Sequence, residues 1–164
     1  MFRVLAPAAA IAAAAAPALA DGIVPRDGTW ITEARDGAFS DACPAALLPF
    51  LRPMLGAMES QSGQTQEMTF AGDFDPAAMA TDADAEGIEW VQEDTDRWVG
   101  QLPGDDGASI GSVTLEVLAP DRIDGAMVLR IGDLMGDDVA ALGVSAAEAE
   151  GCTMTMEMTS THAG

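Results

Sequence analysis

Hydrophobic and polar residues alternate with a period of two in several short segments of this chain. In one of them Val113, Leu115 and Val117 fall on one side, and Thr114 and Glu116 fall on the other. Such alternation is typical of β-strands with one buried face, and the Gly, Asp and Pro residues between the segments favour turns. The sequence therefore predicts a mainly β protein, with a small antiparallel sheet or barrel of about seven strands: Thr29–Arg35, Thr65–Ala71, Ile88–Glu93, Arg97–Leu102, Ser112–Leu118, Gly125–Ile131 and Cys152–Thr159.

One segment after the first predicted strand has helical rather than alternating spacing. Between residues 44 and 59, Leu47, either Phe50 or Leu51, Met54 and Met58 recur at the intervals of a helix face. The prolines at positions 49 and 53 each lack an amide donor and crowd the carbonyl four residues earlier. The pattern therefore predicts a kinked or two-piece helical segment.

Three connecting segments carry local signals. Residues 119–125 are rich in turn residues, which predicts a hairpin between the fifth and sixth strands. Asp75 followed by Pro76 has the character of an N-cap and first helical position, so a short helical turn is expected there. Residues 132–151 show poor periodicity, and we expect a long loop that carries one helical turn.

The first twenty residues have the three parts of a secretory signal peptide. Arg3 supplies a positive charge, an Ala-rich apolar run follows, and Ala18 and Ala20 form a small-residue cleavage box before Asp21. An uncleaved membrane anchor is the alternative, but this run is only weakly hydrophobic and ends in the cleavage box. The sequence therefore predicts a signal peptide at 1–20 and a single acidic, β-rich exported domain at 21–164, either periplasmic or secreted.

The charge of the chain limits its partners. The formal net charge is −20, and removal of Arg3 with the signal peptide would leave about −21. Such a field repels nucleic acid and anionic lipid head groups, whereas it permits a small ligand, a cation or a basic protein partner. High charge alone also serves solubility.

The two cysteines, Cys43 and Cys152, predict a disulfide, because exported chains fold in an oxidising compartment. The bridge would clamp the start of the helical segment to the start of the last strand. A two-thiolate metal site is the alternative, but close ligand spacing is missing.

Two patterns of metal-ligand type stand out. The first approximates the spacing of an EF-hand calcium loop, although Glu86 is longer than the usual ligand and the residues before Glu93 alternate like a strand. A solvated acidic turn is the alternative for this pattern. Its candidate ligands are Asp82, Asp84, Glu86 and Glu93.

The second pattern is a methionine stripe near the C-terminus. Met154, Met156 and Met158 lie at alternate positions and His162 follows, a set of soft and borderline ligands suited to copper. With tryptophans elsewhere in the chain, it resembles small secreted copper carriers built on β-barrels. An ordinary core-facing strand is the alternative.

The opening strand carries a further resemblance, because Gly28-Thr29-Trp30 is similar to the G-x-W element of lipocalins. This resemblance implies a barrel that holds a ligand. The chain shows no motif of catalysis or of cofactor binding. The sequence therefore predicts a non-enzymatic binding or interaction protein without a cofactor, with a calcium- or copper-handling protein as the alternative.

Overall fold

A computed structural model describes residues 22–60, 62–79, 87–104 and 107–164. Its main feature is one antiparallel sheet whose strands follow the order β2-β1-β7-β6-β5-β4-β3. All seven predicted strands are present, which confirms the mainly β fold. Their bounds are β1 Gly28–Phe39, β2 Gln64–Met68, β3 Glu89–Asp94, β4 Arg97–Pro103, β5 Ser109–Ala119, β6 Arg122–Arg130 and β7 Thr153–His162.

The sheet is open, with β2 and β3 at its two edges. Of the two architectures that the sequence left open, sheet or barrel, the structure has the sheet. A barrel would require the two edge strands to pair. In this structure β2 and β3 are not hydrogen-bonded to each other, and each has a single neighbour. The C-terminal strand β7 lies inside the sheet, paired with both β1 and β6.

The two faces of the sheet differ sharply in polarity. On β7, Met154 and Met156 are buried on what we call the inner face, whereas Thr155 and Glu157 are exposed on the outer face. The buried apolar residues other than Met156 form two groups. The helix-side cluster comprises Leu47, Leu51, Leu129, Ile131, Val139, Val144, Ala149, Cys152 and Met154. The tryptophan cluster comprises Trp30, Met68, Phe70, Phe74, Leu115, Val117 and Ile123.

The predicted helical segment follows β1 as the helix α1, Leu48–Ser60, with Pro53 inside it. Pro49 lies in the first turn, where an amide donor has no partner within the helix. The predicted disulfide between Cys43 and Cys152 is present, with an S–S distance of 2.04 Å. It fixes the chain just before α1 to the start of β7, so α1 is held against the inner face.

The prediction of a long loop at 132–151 is wrong. Three short helices lie in this region: α2 Ile131–Met135, α3 Asp138–Ala141 and α4 Ala146–Ala149. Val139 and Ala149 are buried in the helix-side cluster, and this burial holds helices that are too short to be stable alone. Ser145 and Glu148 form a capping box at the start of α4.

Two smaller predictions are confirmed. Pro76–Met79 is a short 3₁₀ helix, and the Ala77 N–H donates to Asp75 Oδ1 at 2.9 Å, which is the expected cap. β5 and β6 form the predicted hairpin, with Ala119 paired to Arg122. Within the described residues, no helix is long and apolar enough to cross a membrane.

Candidate functional site

An open cleft lies on the inner face of the sheet. Its wider part has a volume of about 490 Å³. A narrower, mainly apolar part of about 180 Å³ continues from it, and Thr32, Met79 and Met158 border both parts. Five of the ten methionines of the chain line the wider part, and we call this the methionine cleft: Met58, Met79, Met127, Met156 and Met158.

The sheet register brings three of these methionines together. Met127 on β6 is directly opposite Met156 on β7, and Met158 follows two residues later on the same face of β7. Residues directly opposite in an antiparallel pair have Cβ atoms about 4.5–5.5 Å apart, and neighbours two residues apart are separated by about 6.5–7 Å. Met127, Met156 and Met158 therefore form a compact triangle on the floor of the cleft.

The other two methionines come from outside the sheet. Met58 lies in the last turn of α1, and Met79 ends the 3₁₀ helix. The disulfide and the Asp75 cap fix the chain next to these elements. The cleft is thus bordered by the sheet and by two helical segments that are far apart in sequence.

Gly125 makes room for a side chain at the narrow end. It is paired with Met158 across β6 and β7. A Cβ atom at this position would lie 3.1 Å from Leu115 Cδ2 and 3.3 Å from Met158 Cε. The missing side chain therefore lets the end of Met158 approach the β6 backbone, and a larger residue would press on it.

None of the described residues that line the cleft has a charged side chain. Its buried hydroxyl, that of Ser160, is hydrogen-bonded to Thr32 Oγ1 at 2.7 Å. No buried side-chain nitrogen or oxygen in the described part of the chain lacks a partner. The floor therefore presents thioether sulfur and methyl groups rather than unsatisfied polar atoms.

The outer face of the sheet, unlike the cleft, carries charged side chains. Arg122 donates to both carboxylate oxygens of Asp124, at 3.0 Å and 2.8 Å. The hydrogen bond from Arg122 is the main reason that the pKa of Asp124 lies below its usual range, and Thr159 adds to the effect. This exposed ion pair lies on the side of the sheet away from the cleft.

The predicted copper ligands are not brought together as one set. Met154 is fully buried in the helix-side cluster, while His162 lies eight residues further along β7, a separation of roughly 26 Å at about 3.3 Å per residue. His162 Nε2 lies 3.0 Å from the Asp27 carbonyl oxygen, and Nδ1 accepts from the Gly164 N–H at 3.1 Å. Of the four, only Met156 and Met158 line the cleft.

The predicted calcium ligands lie mostly outside the described residues. This applies to Asp82, Asp84 and Glu86. Glu93 is exposed on β3, with an oxygen 3.4 Å from Arg97 Nε. Among the described residues, no group of three or more His, Cys, Asp or Glu side chains is placed to hold a metal ion. The calcium site remains a prediction.

The sequence pattern did not identify Met58, Met79 and Met127 as site residues. Only the abundance of methionine pointed to them, since these residues come from different elements. Methionine is flexible and polarizable, and surfaces rich in it bind varied apolar partners. The cleft can therefore bind an uncharged apolar molecule or a soft metal ion.

Comparison with known proteins does not narrow this choice. No protein-family model, curated protein or solved structure matches the chain.

Proposed function

We propose that this protein is an exported, non-enzymatic binding protein that holds a small uncharged or soft ligand in the methionine cleft. One observation carries the proposal: five methionines from four separate elements line one open cleft of about 490 Å³. Ligand sites are typically concave, mostly apolar and of this size. A chain with 27 acidic residues has none on the described lining, so the cleft is chemically distinct from the rest of the surface.

Binding is favoured over catalysis by the groups in the cleft. General acid–base chemistry needs a titratable side chain within hydrogen-bond reach of the reacting atom. The described lining offers hydroxyl, amide and thioether groups, and the hydroxyls of Thr32 and Ser160 bond to each other. These groups can orient a ligand, but they are poor proton donors and acceptors.

A neutral solvatochromic dye, Nile red, tests whether the cleft takes an apolar ligand. Ala34 lies on the cleft lining opposite Met158, and Ala126 is exposed on the outer face. We expect Ala34→Trp to abolish the fluorescence increase, because the indole fills the cleft, whereas Ala126→Trp leaves it unchanged. Ala34→Leu, a smaller insertion, should weaken binding if the tryptophan variant does not fold. Equal dye binding by the Ala34 and Ala126 variants would contradict the proposal.

The export part of the proposal rests on the signal-like first twenty residues and on the Cys43–Cys152 disulfide, which requires an oxidising compartment. We expect material collected outside the cytoplasm to begin at Asp21 and to contain no free thiol. N-terminal sequencing and thiol titration measure both. Retention of Met1, or two reactive thiols in the native protein, would refute export by this route.

A further inference from the structure

The triangle formed by Met127, Met156 and Met158 has the dimensions of a single-ion site. Each methionine has three rotatable side-chain bonds, and its sulfur lies two bonds beyond Cβ. The Cβ atoms of the opposite pair are about 5 Å apart, and the third is within about 7–8 Å of Met127 on the diagonal. Rotamer changes alone can therefore bring the three sulfurs around one point above the strands.

The neutral thioether sulfurs of these three methionines determine which class of metal ion the site would prefer. Thioethers are soft ligands that suit Cu(I), whereas Ca²⁺ and Mg²⁺ prefer carboxylate, carbonyl and water oxygen. The three methionines carry no charge, so they do not offset the dehydration of a divalent ion. The net charge of −20 raises the local concentration of any cation near the protein. Together these features favour a soft monovalent cation.

We infer that the methionine cleft binds Cu(I) through the sulfurs of Met127, Met156 and Met158, an inference that rests on the proposed binding function. Met58 on α1 and Met79 on the 3₁₀ helix border the same space. Their thioethers shield the ion from water and supply further soft ligands. Copper remains Cu(I) throughout, so no electron is transferred.

The donor set gives the site a specific pH dependence. Histidine and cysteine ligands must lose a proton before they bind metal, so their metal affinity changes with pH. A thioether has no proton to lose. Cu(I) affinity should therefore be equal at about pH 6 and about pH 8, the interval in which a histidine ligand changes its protonation. His162, whose ring nitrogens contact Asp27 and Gly164, has no part in this site.

The test is an anaerobic competition titration of the metal-free mature protein with Cu(I) and a coloured Cu(I) chelator. We expect one ion per protein. Loss of a supporting residue at a metal site weakens binding about 10–100-fold, so loss of a ligand in Met127→Leu, Met156→Leu or Met158→Leu should cost at least about tenfold. Leucine keeps the volume and removes the sulfur, so the fold should be retained.

Met154→Leu is the matched control, because this methionine lies on the same strand but in the helix-side cluster. Its Cu(I) affinity should equal that of the unaltered protein. X-ray absorption should show sulfur ligands and neither nitrogen nor oxygen in the first coordination shell. Circular dichroism and urea midpoints of all variants check that they are folded.

Three results would overturn the inference: no competition for Cu(I), an affinity that the triple leucine variant retains, or an affinity that rises between about pH 6 and about pH 8 as for a histidine ligand. The dye experiment distinguishes a failure of the copper inference from a failure of the proposed binding function. Nile red binding that Ala34→Trp abolishes, with no Cu(I) binding, rejects copper and keeps the binding function. Absence of both Cu(I) and dye binding rejects both.

Discussion

Replacing the methionines of β7 by alanine should distinguish those that stabilise the core from those that line the cleft. Met154 is fully buried in the helix-side cluster, and Met158 is half-buried beside the cleft. Met154→Ala removes three buried groups of methylene size. At about 0.8 kcal/mol each, the lost free energy of burial is about 2.4 kcal/mol. A residual cavity of ~50 Å³ adds about 1.2 kcal/mol, which gives a total of about 3.6 kcal/mol.

Met158→Ala should cost less, because the space it leaves joins a cleft that is already open. No new closed cavity forms, and the transfer term is at most about 2 kcal/mol for a half-buried side chain. The free energies of unfolding of the two variants should therefore differ by at least about 1.5 kcal/mol.

Equilibrium urea denaturation of the metal-free protein measures these values, and an unchanged slope shows that the unfolding reaction is the same. Met154→Leu, which keeps the volume, should cost less than about 1.5 kcal/mol. If Met158→Ala destabilised the protein as much as Met154→Ala, the division of β7 between core and cleft would be refuted.

Three further predictions concern the disulfide, the outer face and a helix cap. Replacing Cys43 and Cys152 by Ala should lower the free energy of unfolding in urea by about 4–5 kcal/mol, because the bridge closes a 109-residue separation; a loss below about 1 kcal/mol would contradict this. The pKa of Asp124 is lowered, so its contribution to stability is present above the unfolded value of about 3.9 and is lost as pH falls through the folded pKa. Arg122→Ala should raise that pKa in an NMR titration, and an unchanged value would show that Arg122 is not the cause. Ser145→Ala should cost about 1 kcal/mol in thermal unfolding by removing the α4 cap, and Ser145→Asp should restore most of it.

The strands could be predicted from the sequence because most of them place their buried residues on one face. Val113, Leu115 and Val117 alternate with polar residues, and this pattern depends on local geometry alone. The strand order could not be predicted, since the pairing of β7 with β1 and β6 joins residues far apart in the chain. The choice between sheet and barrel depends on whether the edge strands β2 and β3 pair, which local alternation does not encode either.

The helices after β6 were missed for a different reason. With four or five residues each, they complete about one turn, and a period of 3.6 residues leaves no detectable pattern over that length. One signal was present in the sequence, because Ser145 and Glu148 have the spacing of a capping box.

The cleft was only partly predictable. Met156 and Met158 are visible as a stripe on one strand. Met58, Met79 and Met127 reach the same space through the packing of α1, the 3₁₀ helix and β6, which no spacing within one segment encodes.

The central position of β7 has a consequence for the order of folding during synthesis. A ribosome synthesises the chain from the N-terminus, so β1 and β6 are made before β7, the strand that lies between them in the sheet. Until then β1 and β6 each lack a neighbour, and Cys43 has no partner. Such long-range pairing delays folding. For an exported chain, as we propose this one to be, the sheet therefore stays incomplete until β7 has emerged.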